Sequence, residues 1–268
     1  MAIPEPVSMS ERPAVRAPAL PKSPRVFDVV APSDPALLDK LKALQARYVG
    51  ADALALTHAA LTVEFARQTC IVSSFGSESV VLLHLVAQVD PTTPILFLNT
   101  GKLFGETMRY RDRLQERLGL TDVRAIGPHP ADLAAEDPDG TVWSRNPDRC
   151  CHIRKVLPLQ RAISGFSAEI TGRKRFQTKA RQGLTPIELN GSRFVFNPLA
   201  QWTIEDLNAH IDAHELPRHP LVADGYLSIG CMPCTDRVRP GGDYRSGRWA
   251  GQDKEECGIH ENLAGDGI

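Results

Sequence analysis

Between residues 69 and 126 one pattern repeats: a short apolar run, a small polar loop, then apolar residues at helical spacing. Thr69-Cys70-Ile71-Val72-Ser73-Ser74 reads as a buried strand, Phe75-Gly76-Ser77 as its loop, and 78–88 as a helix. Pro94-Ile95-Leu96-Phe97-Leu98-Asn99 is the next strand, followed by Thr100-Gly101 and a helix over 105–118; residues 122–126 form a third strand. Strands and helices alternating through such short loops define βαβ units on a parallel sheet, and ligands of such sheets bind at the carboxyl ends of the strands. A fourth short strand, Ala168-Glu169-Ile170-Thr171, runs into a very basic loop.

The flanks follow from local signals. Leu37, Leu38, Leu41 and Leu44 keep helical spacing over 34–48, with Ser33 or Asp34 as cap, and a second helix is expected over 51–67. Residues 186–196 read as a hairpin around Asn190-Gly191. Thr203, with Asp206 three positions on, starts a helix over 203–213. Beyond Pro217 the chain is loop-rich. Residues 1–33, rich in proline and alanine without a hydrophobic period, read as a disordered tail. The domain division expected is therefore 1–33 tail, 34–230 α/β domain, and 231–268 a cysteine-containing C-terminal segment.

With 42% hydrophobic residues in 268, the chain can bury one large core. Its net charge of −1 argues against a protein that coats nucleic acid. The longest apolar run, Val80-Val81-Leu82-Leu83-His84-Leu85-Val86, falls far short of the roughly 20 residues that cross a bilayer. The start of the chain lacks a secretory pattern, so a cytoplasmic location is expected, with thiols kept reduced for metal ligation or catalysis.

Three βα loops carry candidate ligand groups. Ser74-Phe75-Gly76-Ser77-Glu78-Ser79 is either an anion cradle of backbone amides at a helix start or a plain serine-capped turn. Asn99-Thr100-Gly101-Lys102 alone favours the plain turn, but two polar loops on successive strands suit one shared crevice. Gly172-Arg173-Lys174-Arg175-Phe176-Gln177, with Lys179 and Arg181 beyond, directly follows a strand, where arginine forks can grip phosphate or sulfate oxygens.

The six cysteines divide by spacing. Cys231-Met232-Pro233-Cys234 suits two ligands of one metal site. Adjacent Cys150-Cys151 needs an unusual local backbone to do the same and serves two irons of a cluster more easily than one zinc, which stays the competing assignment. Cys257, in Glu256-Cys257-Gly258-Ile259-His260 downstream of Arg245-Ser246-Gly247-Arg248-Trp249, is unpaired; positive charge beside a thiol favours the nucleophilic thiolate. The plainer alternative is a polar tail with an incidental cysteine. Cys70 reads as core and His84 as structural, while His58, His210, His214 and His219 show no metal-ligand spacing.

Together these residues resemble a known family, the assimilatory sulfonucleotide reductases, and within it the iron–sulfur adenylyl-sulfate (APS) reductases. The resemblance covers 69–260 and rests on the Ser74–Ser79 loop, Asn99-Thr100-Gly101, Cys150-Cys151-x-x-Arg154-Lys155, Gly172-x-Lys174-Arg175-x-Gln177, Cys231-x-x-Cys234, Arg245-x-Gly247-Arg248-Trp249 and Glu256-Cys257-Gly258-x-His260. Asn99 and Phe176 depart from the family pattern.

The resemblance implies an adenine-nucleotide α-hydrolase-like (Rossmann-like) α/β fold, a mostly parallel sheet flanked by helices. It implies a 4Fe–4S cluster on Cys150, Cys151, Cys231 and Cys234, and Cys257 as the nucleophile that takes sulfur from APS, leaving AMP and an S-sulfocysteine that thioredoxin reduces. Lys155, Arg245, Arg248 and His260 are then expected at the phosphosulfate. Ser74, Gly76, Ser77, Glu78, Thr100, Gly101, Lys174 and Arg175 are expected around the nucleotide. The expected partners are APS and thioredoxin, with no nucleic acid or membrane, and nothing in the sequence speaks against a homo-oligomer. The competing activities are reduction of 3′-phosphoadenylyl sulfate (PAPS) and, more distantly, an ATP pyrophosphatase or a zinc-binding scaffold. Against the pyrophosphatase stand Phe75 and Glu78, which replace a glycine and an aspartate of its loop.

Overall fold

A computed structural model describes residues 34–252 and 254–260. The tail expected over 1–33 and the last residues of the C-terminal segment lie outside the described residues.

The chain opens with helices α1 (Pro35–Arg47) and α2 (Ala53–His58), each capped by an aspartate, Asp34 and Asp52. The single helix expected over 51–67 differs: α2 passes into a π-helical turn at Ala59–Glu64, and Arg67 turns the chain with φ +61°. Then follow β1 (Thr69–Ser73), α3 (Ser79–Val89), β2 (Ile95–Leu98), α4 (Gly105–Leu118) and β3 (Val123–Ile126). Four short helices, α5 (Pro130–Glu136), α6 (Val142–Arg145), α7 (Pro147–Cys151) and α8 (Leu157–Ile163), connect to β4 (Ala168–Thr171). The hairpin β5 (Ile187–Asn190) and β6 (Arg193–Phe196) and helix α9 (Ile204–Ala213) complete the regular structure.

The six strands lie in the order β3-β2-β1-β4-β6-β5, all neighbours parallel except the β5–β6 hairpin. The mostly parallel sheet expected from the alternating pattern is therefore present. Ile71 of β1 stands level with Ile95 of β2 on one side and Ile170 of β4 on the other, and β1, β2 and β4 are buried along their whole length. β2 and the middle of β1 are continuous apolar runs because both sheet faces are covered by helices, while β4 buries Glu169 and Thr171 as well. On one face, Val80, Val81, Leu83 and Val86 of α3 pack with Leu114 of α4 and Leu207 and Ile211 of α9. On the other, Leu159 and Ile163 of α8 pack against Cys70, Leu96 and Leu98. Cys70 is the buried filler expected, and burial pushes its thiol far up.

The strand order turns at β1. The chain winds outward through β2 and β3, then returns to place β4 on the other side of β1. Loops leaving β1 and β4 consequently diverge and open a crevice, the position where sheets of this kind bind ligands.

The histidines show a proximity that the sequence did not suggest. His84 on α3 meets His210 of α9 and His214 at its C-cap, and their ligand nitrogens all lie within 4.8 Å of one another, although no sequence spacing linked the three.

Candidate active site

A cavity of about 180 Å³ occupies the crevice. The β1 loop forms one wall. Phe75, fully buried and edge-on to Phe97 at 5.2 Å, is held at φ +51°, a conformation that costs a non-glycine residue energy and recurs at functional sites. A Cβ on Gly76 would stand 3.0 Å from the Ile229 carbonyl oxygen, so only glycine lets the two backbones approach this closely. Ser77 Oγ donates to the Leu227 carbonyl at 2.6 Å and lies 3.2 Å from the Tyr244 hydroxyl. Ser74, Gly76, Ser77, Glu78 and Thr100 all line the cavity.

The basic loop after β4 forms the opposite wall, and the cations it lines the cavity with, Arg173, Lys174 and Arg181, are engaged by carboxylates. Lys174, 2% exposed, is ion-paired with Glu78, and burial lowers its proton affinity while Glu78 partly restores it. Gln177 Nε2 donates to the same Glu78 oxygen at 2.6 Å, leaving Glu78 Oε1 buried without a hydrogen-bond partner. Arg173 pairs with Glu188 at 2.8 Å and Arg181 with Glu256 at 2.6 Å. Arg175 does not line this cavity; its Nε donates to the Leu184 carbonyl at 2.7 Å. Gly101 is also absent from the lining: it is exposed, with φ +72°, at the turn after β2.

The third wall is the C-terminal segment, laid over the domain by paired contacts. Leu103 bridges Cys231, Thr235 bridges Arg248, and Asp236 N donates to Gly247 O at 2.7 Å. Gly247 has no room for a Cβ, which would overlap the Asp236 carbonyl, and a Cβ on Gly230 would overlap the Arg248 guanidinium. That guanidinium stacks 4.4 Å above the Trp249 ring, and Trp249 is itself buried at φ +49°. Glu256 receives Arg181 and, at 3.0 Å, Thr178 Oγ1; these bonds hold the residue next to Cys257. Cys257, half-buried, faces the cavity with Lys155, Arg245, Arg248 and His260. Among the described residues none of these three cations makes an ion pair; Arg245 Nη2 donates to the Glu255 carbonyl at 2.9 Å. Burial, with Arg173 and Arg181 adding repulsion, holds His260 well below the usual imidazole range, so it is neutral.

Lys155 also borders a second, smaller pocket with all four paired cysteines. The first pair closes α7, which runs directly into a π-helical turn at His152–Val156. Cys150 and Cys151 themselves are ordinary helical residues, with the departure from α geometry following them, and π turns inside helices recur at functional sites. The second pair sits on a 3₁₀ turn, Met232–Cys234, in which Cys234 N donates to Cys231 O at 3.0 Å. Thr100 Oγ1 lies 3.2 Å from Cys231 Sγ. Burial pushes Cys150 and Cys151 up to about 11; neighbouring thiols add to this, while Arg154 beside Cys150 and Lys155 beside Cys151 oppose it. Four thiols on one pocket suit a metal, which deprotonates such thiols outright when bound.

The only ligand-atom trio within 4.8 Å among the described residues is made of histidines, so no three cysteine sulfurs are that close. One tetrahedral zinc would draw its sulfurs to about 3.8 Å from one another. Two cysteine pairs bordering one pocket fit a sulfur-ligated metal group. Burial opposes the charge on Lys155, but Cys231, Cys257 and Cys151 around it more than compensate and raise its proton affinity.

Arg154, one residue before Lys155, does different work. It is buried, with Nε 3.0 Å from Asp137 Oδ2 and Nη1 2.9 Å from the Thr100 carbonyl. It ties the β2 loop to the helices that carry the first cysteine pair. Sequence reasoning passed over Asp137 and the lining residues Ser228, Ile229 and Gly230, which lie in segments without period or motif.

A parallel sheet with its crevice at the strand switch, walled by small polar loops and cations, defines a nucleotide-binding α/β protein. Residues 68–237 match the phosphoadenosine phosphosulfate reductase domain. The adenosine 5′-phosphosulfate reductase of Mesorhizobium japonicum is 47% identical over 237 residues, covering 88% of this chain and 93% of that one. The enzyme of the same name from Chelativorans sp. is 52% identical over 189 residues, covering 70% and 77%. In fold, the chain is similar to the crystal structure of phosphoadenylyl-sulfate reductase from Candida auris, with a TM-score of 0.63 at 23% identity over 74% of this chain and 97% of that one. The chain belongs to the phosphoadenosine phosphosulfate reductase family.

Proposed function

We propose that the chain reduces adenylyl sulfate to sulfite and AMP in sulfate assimilation, with a thioredoxin-type dithiol as electron donor. The observation that carries this reading is Cys257 facing three cations that have no ion-pair partner among the described residues, and a neutral imidazole, at the mouth of the nucleotide crevice. Residues 34–230 would form the nucleotide-binding unit, and 231–268 would bring two cluster ligands and the nucleophile.

Ser74, Gly76, Ser77 and Thr100 would hold the nucleotide, and the unpartnered Glu78 Oε1 would accept a hydrogen bond from a ribose hydroxyl or the adenine amino group. Lys155, Arg245 and Arg248 would balance the phosphosulfate charge, with a His260 N–H donating to it. The Cys257 thiolate attacks the sulfate sulfur. A sulfur–sulfur bond forms, the sulfur–oxygen bond to the phosphate breaks, and AMP leaves with that oxygen. A donor thiolate then attacks Cys257 Sγ and expels sulfite. The donor's second thiol resolves the mixed disulfide, and the dithiol has given up two electrons.

Cys150, Cys151, Cys231 and Cys234 would hold a 4Fe–4S cluster, which would join the two cysteine segments and set the charge beside Lys155. Reduced thiols suit a cytoplasmic enzyme, and no described helix is long and apolar enough to cross a membrane. The engaged cations of the basic loop favour the substrate without a 3′-phosphate, since that group would need partners of its own.

Mass spectrometry after mixing with adenylyl sulfate and no thiol tests the reading. A sulfonate on Cys257 is expected. An adduct confined to another cysteine, or turnover by Cys257→Ser, would overturn it; higher kcat/KM for the 3′-phosphorylated nucleotide would reverse the substrate assignment.

A further inference from the structure

From the juxtaposition of His84, His210 and His214 between α3 and α9, we propose a second metal site that takes a divalent late first-row transition ion such as Zn²⁺, separate from the cysteine pocket. His210 lies in the last turn of α9 and His214 is its C-cap residue, four positions on, with the two ring centroids 4.5 Å apart. Helix α3 packs against α9 and supplies His84, the one ionisable side chain in an otherwise apolar stretch from Val80 to Val86.

The geometry is close to that of a ligand set. His84 Nδ1 and His210 Nε2 are 3.0 Å apart, against about 3.3 Å for two nitrogens on one tetrahedral zinc. The His214 ring lies 4.6 Å from that of His84 and 4.5 Å from that of His210, centre to centre. Among the described residues the His84–His210 contact is the only side-chain hydrogen bond these rings make, so several nitrogens are without a protein partner.

Three such rings cannot all carry protons at this spacing without strong repulsion, whereas one cation satisfies all three lone pairs. His214 is exposed, so an ion can enter and keep a water or an outside ligand in its fourth position. None of the three lines the nucleotide cavity or the cysteine pocket. A site of imidazoles without thiolate favours zinc, nickel or copper over the iron of a cluster. The ion would clamp α9 to α3, the helix that begins immediately after Glu78 of the cavity wall.

The test is anaerobic calorimetric titration of the cluster-loaded, full-length protein with Zn²⁺, with iron content followed in parallel. One Zn²⁺ per chain is expected, with iron content unchanged and a thermal midpoint that rises with Zn²⁺ concentration. His214→Ala, at an exposed position, should weaken binding at least about tenfold and abolish the thermal shift, as should His84→Asn. The proposal fails if the parent takes up no Zn²⁺, if the His214→Ala isotherm superimposes on the parent's, or if uptake disappears with Cys257→Ser instead of with the histidines.

Discussion

The basic loop after β4 and the scattered trio Lys155, Arg245 and Arg248 carry the same sign of charge around one cavity, yet they are held differently. In the loop, Arg173, Lys174 and Arg181 each have a carboxylate, in Glu188, Glu78 and Glu256. The trio, drawn from a π turn and the C-terminal segment, has none among the described residues. A run of positive charge in sequence is therefore not where the uncompensated charge of the site resides. Paired cations fix the shape of the walls; unpaired ones are free to meet an anion, at a potential strengthened by the low-dielectric surroundings.

Arg154 and Lys155 condense that contrast into two adjacent positions, and the largest expected effects lie there. Asp137→Ala leaves Arg154 buried without its carboxylate, and should cost about 3–5 kcal/mol of unfolding free energy by denaturant titration. A loss under about 1 kcal/mol would mean that the paired cation is not structural. Lys155→Ala should lower kcat/KM by about 10²–10³ and slow the Cys257 adduct in proportion, as for removal of one preorganised charge at a reacting centre. If Arg173→Ala cost as much, the division between loop and trio would collapse.

A smaller effect is expected at Glu256. Burial alone raises its carboxyl, but the hydrogen bond and charge of Arg181, with Arg245 and Thr178, outweigh this and hold it below the usual range. The sign follows: a depressed carboxylate stabilises the docked segment above its ordinary titration range, and that contribution is lost as pH falls through the lower, folded-state value. Glu256→Gln should raise the rate of Cys257 alkylation about fivefold at neutral pH, near 1 kcal/mol, and remove the acid-side dependence of docking. An unchanged pH profile in the variant would assign that dependence to another group. Smallest of all, Arg173→Ala should change kcat/KM by less than about threefold while lowering stability by about 1 kcal/mol, because its charge is already engaged by the partly exposed Glu188.

Much of this arrangement is legible in the residues. The apolar run of β1 and the regular spacing on α4 mark buried elements without reference to anything distant, and Gly119 at φ +66° ends α4 as a left-handed cap. The capping box of Thr203 and Asp206 marks the start of α9. The helices from α5 to α8 left no such trace, since elements of four to seven residues are too short for a hydrophobic period and lean on local caps such as His129 and Asn146. The split of the second helix into α and π turns is equally silent, because one extra residue per turn leaves no distinct composition.

The residue types and their spacing were open to reading from the chain alone: two cysteine pairs, one lone cysteine beside arginines, and polar loops at strand ends. Spacing along the backbone restricts what neighbouring side chains can reach, and that restriction is local. Only the tertiary structure decided which charges stay free, that Lys155 borders both the cysteine pocket and the cavity, and that His84 meets two histidines far away in sequence. Such outcomes depend on how strands order themselves and which helix faces pack, and those are set by the whole core at once rather than by any segment of it.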